Sequence, residues 1–177
     1  MKIHSESIIP HARDAVFETY RDRLPDVAAF LPDVESITVL HRTEEDGRTV
    51  LHNEWVSNTD IPKTAQGFLK PEHLRWDDHA VWTHNAYQVA WRIETRVFSD
   101  TFRCQGTNTF LADGPAKTRV VVEGELDIDL SSMPGVPRFI ARRLAPQVEA
   151  FIVKMIAPNL QQVNEAVGHY ISEGDGT

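Results

Sequence analysis

The chain has one cysteine, Cys104, which rules out an internal disulfide and any zinc site built on several thiolates. It has no positive excess either: 18 Lys and Arg stand against 26 Asp and Glu, a formal net charge of −8. Nucleic-acid binding needs a basic face to displace counterions, so no nucleic-acid partner is expected. Apolar runs are short, and none approaches the roughly 18 residues needed to cross a bilayer. The opening MKIHSESIIPHARD lacks the long apolar stretch of a secretory leader, so a cytoplasmic location is expected. There is no phosphate-cradling glycine loop, dinucleotide fingerprint or Gly-x-Ser-x-Gly elbow, and no cofactor is expected.

What is present suits one domain of 177 residues, 41% apolar and 25% charged, long enough to bury a real core. We place that domain over residues 1–173, with 174–177 as a flexible polar tail. Its C-terminal forty residues carry the strongest periodicity. Val148, Phe151, Ile152, Met155, Ile156, Leu160, Val163, Val167 and Tyr170 recur at steps of three, four and seven, which is one helical face turned to a core. Pro137 and Pro146 suit first helical positions. The reading is a short helix over ~137–144 and a long one over ~146–171, bent at Pro158.

Upstream the pattern is mostly alternating. Lys2 to Ile9 reads as a strand, and Ala12 to Leu24 as a helix facing Val16, Phe17, Tyr20 and Leu24 inward. Pro25 is expected to stop that helix, and Asp26 to cap a second turn over Val27 to Leu31. Strands follow at Val34–Thr43 and Arg48–Ser57, joined by Glu44-Glu45-Asp46-Gly47. His73–Asp77, Ala80–His84, Tyr87–Val97, Ser99–Ala112 and Lys117–Asp129 complete the set, with Asp77-Asp78 and Asn85-Ala86 read as turns. In the last strand Val120, Val122, Gly124, Leu126 and Ile128 oppose Arg119, Glu123, Glu125, Asp127 and Asp129. An antiparallel sheet with one dry face and one wet face follows.

Three stretches carry a resemblance to a known family. Ile8-Ile9-Pro10-His11-Ala12-Arg13-Asp14-Ala15-Val16-Phe17 looks like a first strand entering a small helix. Phe30-Leu31-Pro32-Asp33-Val34-Glu35-Ser36-Ile37-Thr38-Val39-Leu40 looks like the passage from a second small helix into strand two, and the long terminal helix completes the order. In this the chain resembles the START-like superfamily, also called SRPBCC or helix-grip. The resemblance implies an α+β fold: a curved antiparallel sheet of six or seven strands wrapped around a long kinked C-terminal helix, with two small helices after the first strand. It also implies a cavity between sheet and helix, used by members for hydrophobic ligands or for cyclisation and hydrolysis. A fainter similarity, from the Trp55 to Trp82 region through Gly124, is to the PRELI-type phospholipid-transfer proteins.

A mixed lining is the main functional signal. Trp55, Trp91, Phe102 and Phe110 lie in strands, with Asn53 and Asn108 on the same faces as Trp55 and Phe102. An apolar cleft with a few polar groups is how small-molecule sites are built. A filled core with satisfied amides would give the same pattern, and a one-residue slip would exchange the faces of residues 50–57. In loop 58–71, Ile61, Phe68 and Leu69 beside Lys63 and Lys70 would form a lid, touch a membrane transiently, or plug one end of the sheet. The candidate ligand-binding set is Asn53, Trp55, Phe68, Leu69, Trp91, Phe102, Asn108, Phe110, Phe151 and Met155.

Other clusters carry less. Glu72, His73, Asp77, Asp78, His79 and His84 hold every ligand type a metal needs, but alternation sends them to opposite faces, and no metal site is expected. Arg92, Glu94, Arg96 and Arg103 read as cross-strand pairs on the wet face; were the faces reversed, Arg96 or Arg103 would sit in the cavity and hold a carboxylate or phosphate headgroup. Arg138, Arg142 and Arg143 read as solvated charges on the short helix, or as a contact for an anionic partner. The expected function is binding or transport of a hydrophobic small molecule or lipid. The alternative is an enzyme like the polyketide cyclases, aromatases or hydrolases, for which His84, Tyr87 and Glu94 are the acid–base candidates. No catalytic residue is assigned.

Overall fold

The computed structural model describes residues 1–61, 70, 74–95, 102–128, 146 and 162–174. Strand β1 (Lys2–Ile9) leads into helix α1 (Arg13–Asp22), then α2 (Leu24–Val27) and a 3-10 turn (Ala28–Phe30). Strands β2 (Val34–Glu45), β3 (Arg48–Ser57), β4 (Arg75–Thr83), β5 (Gln88–Thr95), β6 (Phe102–Ala112) and β7 (Thr118–Ile128) follow, and helix α3 covers 162–174. All neighbouring strands are antiparallel, in the order β1-β7-β6-β5-β4-β3-β2. The chain thus forms a curved seven-stranded antiparallel sheet with small helices after strand one and a helix at the C-terminus.

Local chemistry accounts for the boundaries. Pro25 begins α2 rather than merely ending α1: it sits in the first turn of α2, where a missing N–H leaves no bond unmade. Asp26 is accordingly inside α2 and does not cap it. The β2–β3 hairpin is tighter than expected, with Glu45 opposite Arg48, and Gly47 closes it at a φ of 71° that side-chain-bearing residues rarely adopt. Helix α3 reaches residue 174, one residue into the stretch expected as tail. The expected bend at Pro158, the short helix over ~137–144 with its arginines, and most of loop 58–71 lie outside the described residues.

An expected turn is overturned as well. Asp77-Asp78 is not a turn; both residues lie in the middle of β4, where Asp77 pairs with Glu54 and Asp78 with Asn53. Two adjacent aspartates suggest a turn because they bond readily to nearby backbone. Here the flanking Trp76, Ala80 and Trp82, all buried, hold the strand straight through them. The reversal comes later, at residues 84–87, where Tyr87 takes a positive φ of 48°.

The core lies between the sheet and the helices. Val16, Phe17, Tyr20 and Leu24 turn inward as expected. The Phe17 ring meets Trp82, Tyr87 and Phe110 edge-on, with centroids 5.2, 5.2 and 5.3 Å away, the arrangement aromatic quadrupoles favour. Helix α3 buries Val163, Ala166 and Val167. It is tied down by Asn164, which accepts a 2.6 Å bond from the Tyr20 hydroxyl and donates through Nδ2 to Ser7 Oγ at 3.0 Å.

Candidate functional site

Strand alternation and register build one aromatic wall. On β3 the inward positions are Thr49, Leu51, Asn53, Trp55 and Ser57, all buried, so residues 50–57 present their odd-numbered side chains to the core. On β4 the inward set is Trp76, Asp78, Ala80 and Trp82, and on β5 it is Val89, Trp91 and Ile93. Cross-strand register places Trp55 opposite Trp76, Asn53 opposite Asp78, Ile93 opposite Asp78 and Trp91 opposite Ala80. The four tryptophans of the chain therefore share one side of the sheet. With Tyr20, Leu24, Asp78, Asn108 and Val163 they border a cavity of about 90 Å³.

Asp78 is the chemically distinctive group. It is enclosed by protein yet keeps some accessible surface, which faces the cavity it lines. Burial raises its carboxyl to about 6, because an ionised carboxylate loses hydration there. A hydrogen bond from Asn53 Nδ2 at 3.1 Å and the positive potential of His79 and His52 oppose that rise. The Trp55 indole N–H also favours the carboxylate, though it makes no hydrogen bond of ordinary geometry. Asn53 Oδ1 is likewise buried and has no partner among the described residues. Buried polar atoms are almost always paired, so these unpaired atoms set the cluster apart from the rest of the wall.

Trp91 is held in place by a steric trough. Gly106 and Gly124 face each other on β6 and β7. A Cβ on Gly106 would lie 2.3 Å from Glu123 O and 2.5 Å from the Trp91 ring; one on Gly124 would lie 3.2 Å from that ring. Both positions need glycine so that the indole can lie against the backbone. At its far edge Trp91 Nε1 donates to Asn108 Oδ1 at 2.8 Å.

Of the residues singled out in the sequence, Asn53, Trp55, Trp91, Phe102, Asn108 and Phe110 are all buried on the inner face. Trp55, Trp91 and Asn108 border the cavity, and Asn53 bonds to Asp78 beside it. Phe110 instead packs among Phe17, Tyr20 and Trp82, and Phe102 belongs to the core cluster. Phe68, Leu69, Phe151 and Met155 lie outside the described residues. Asp78, Trp76, Trp82 and Tyr20 were not singled out as ligand contacts. The alternation Trp76, Asp78, Ala80, Trp82 was the signal that could have found three of them.

The acid–base candidates proposed from sequence lie elsewhere. His84 Nε2 shares a 2.8 Å hydrogen bond with Thr49 Oγ1, Tyr87 carries the Arg13 guanidinium over its ring at 3.5 Å, and Glu94 pairs with Arg92 at 2.8 Å on the outer face. None borders the cavity. On that outer face the His52 and His79 rings stack 4.4 Å apart, with Asp77 Oδ1 2.8 Å from His52 Nε2 and Glu94 Oε2 3.3 Å from His79 Nε2. Among the described residues no three metal-ligating side chains converge, and no helix is long and apolar enough to cross a membrane.

Comparison with known proteins defines the class of fold. A protein of Thermus thermophilus is similar at a TM-score of 0.62 and 23% identity, covering 94% of this chain and 97% of that one. The Zhui aromatase/cyclase of Streptomyces sp. R1128 is similar at a TM-score of 0.63 and 14% identity, covering 97% and 95%. Norcoclaurine synthase of Thalictrum flavum, in complex with dopamine and hydroxybenzaldehyde, is similar at 0.58 and 15%, covering 98% and 87%. The chain has the START-like, or SRPBCC, helix-grip fold. No family model matches it. A glutamyl-Q tRNA(Asp) synthetase of Bordetella bronchiseptica is 28% identical over 145 residues, 71% of this chain. The chain spans under half, 45%, of that curated relative.

Proposed function

We propose that the protein binds a small, ring-sized apolar molecule against the tryptophan wall, with the molecule's polar end at Asp78 and Asn53. The carrying observation is the pairing of a carboxyl with an unpartnered amide oxygen on an otherwise aromatic surface that borders a cavity. Asn108 Oδ1 is taken up by Trp91, so the orienting role passes to Asp78 and Asn53. A space of about 90 Å³ is well below the roughly 300–1,000 Å³ of drug-sized sites, which favours a compact ligand over a lipid. Burying roughly 150 Å² of an aromatic ring contributes about 4 kcal/mol at 25 cal/mol/Å². Immobilisation offsets much of that, leaving the polar contacts to decide affinity and selectivity.

All four tryptophans border the cavity, so their fluorescence reports occupancy. Titration with a panel of monocyclic aromatic compounds, alongside native mass spectrometry of the purified protein, tests the reading. Saturable quenching or a retained small molecule is the expected result. A protein that arrives empty and ignores the whole panel overturns it.

A second reading is favoured by one observation, the carboxyl raised to about 6 inside the cavity. A group that titrates near neutrality serves as a general acid or base. Asp78 would then transfer a proton to or from the bound molecule, in chemistry akin to that of the aromatase/cyclase relative. Turnover that the wild type supports and Asp78→Asn abolishes is the expected outcome of that reading. A retained small molecule recovered unchanged after incubation with the wild type counts against it.

A further inference from the structure

We propose that the molecule bound here is an organic cation: an ammonium group on a ring-sized apolar body, with its charged nitrogen at Asp78 and its body against Trp55, Trp76 and Trp91. The inference rests on the small-molecule reading above and narrows it to a chemical class.

The first argument is charge. Among the described residues bordering the cavity, Asp78 is the only side chain that carries a charge near neutral pH, and no lysine, arginine or histidine joins it. A carboxylate enclosed without a counter-charge is costly, and a cation from solution would supply the missing partner. The net charge of −8 adds a weak long-range attraction of the same sign.

The second argument is the direction of the hydrogen bonds. Asn53 spends its Nδ2 on Asp78 Oδ2 at 3.1 Å, leaving Oδ1 buried and without a partner. An ionised carboxylate also only accepts. Among the described residues the Trp55 N–H is the one other donor nearby, and it makes no hydrogen bond of ordinary geometry; two adjacent acceptors still have room for a donor with several N–H bonds, which an ammonium group is. The Trp82 N–H, also without a partner, stands four residues along β4. At 3.3 Å per residue that is roughly 13 Å away, too far to serve the same group.

The third argument is the ring of indoles. Trp76 lies two residues from Asp78 on the same face of β4. Trp55 stands opposite Trp76, and Trp91 stands opposite Ala80. Asp78 is therefore set within three tryptophans, two of them stacked with centroids 5.7 Å apart. Indole faces attract cations more strongly than other aromatic side chains do. A neutral polar end would gain less from them, and an anionic one would be repelled.

The pH dependence follows from the groups that act on Asp78. Among the described residues these are Asn53 and Trp55 beside it and His79 and His52 behind the sheet; Tyr20 borders the same cavity, but its hydroxyl is donated to Asn164. An alkylamine stays protonated from pH 5 to 8, so binding should weaken as the pH falls below about 6 and Asp78 takes up its proton.

The test uses benzylamine, benzyl alcohol and benzoate, which share one ring and differ in charge. Each is titrated by tryptophan fluorescence and calorimetry against the wild type and Asp78→Asn. At pH 7.5 the amine should bind at least about tenfold more tightly than the alcohol, with benzoate weakest. That advantage should shrink at pH 5 and vanish in Asp78→Asn. Equal binding of alcohol and amine, or preferred binding of benzoate, overturns the cation while leaving the small-molecule reading intact. Failure of all three at millimolar concentration, together with a silent panel of other monocyclic compounds, overturns both.

Discussion

Replacing Asp78 with Asn should stabilise the protein at neutral and alkaline pH. The folded-state carboxyl titrates at about 6, against 3.8 for the unfolded chain. Between those values the folded protein holds a proton that the unfolded chain has released, so stability falls as pH rises through that window. Above it, the buried carboxylate costs the fold about 3 kcal/mol at 1.36 kcal/mol per pH unit. Its remaining contact with the cavity makes that an upper figure. Below pH 4 the cost disappears, because Asp78 is neutral in the fold. Asparagine has the same shape and no charge, so it removes the penalty, less about 1 kcal/mol for amide groups that find incomplete partners. The expected gain is therefore about 2 kcal/mol at pH 8 and close to zero or slightly negative at pH 4. For a domain of this size, 2 kcal/mol is a rise in Tm of roughly 4–8 °C. Urea denaturation of both proteins at half-unit steps from pH 4 to 8 measures the difference directly, and the titrating groups that do not act on Asp78 cancel in it. A difference that stays flat across the range, or a variant that is less stable at pH 8, would refute the burial argument.

Two further outcomes test the packing around the wall. Gly106→Ala places a methyl 2.3 Å from a β7 carbonyl and 2.5 Å from the Trp91 ring; it should cost about 1–3 kcal/mol in urea denaturation and shift tryptophan emission as Trp91 is displaced, and unchanged stability would show that the trough is loose. Cys104 is 1% exposed and its thiol is pushed up to about 12 by burial, so it should react with a thiol reagent only on unfolding; prompt reaction in the native protein would show that the β6 inner face opens.

Sequence and tertiary structure divided the work along physical lines. Hydrophobic periodicity is a local property: alternation placed most strands and the dry face of β6 and β7, and helical spacing placed the inward set of α1, without tertiary information. It also set Asn53 on the face of Trp55 and Asn108 on the face of Phe102, while leaving open which face of residues 50–57 turns inward. The resemblance of the first forty residues and the terminal helix to the START-like superfamily supplied the topology that periodicity lacks. The Asp77-Asp78 pair shows where local reasoning stops. Aspartates favour turns when nothing else decides, and only the pairing of β4 with β3 and β5 overrides that preference, carrying the strand through both residues and turning Asp78 inward. Which polar side chain would meet a ligand was likewise a matter of partners. Asn108 is committed to an indole seventeen residues away, whereas Asn53 keeps a buried oxygen free. Proton affinity belongs to the same category: Asp78 is chemically like any other aspartate, and its rise to about 6 comes from burial in the folded sheet, against the opposing pull of Asn53, His79, Trp55 and His52.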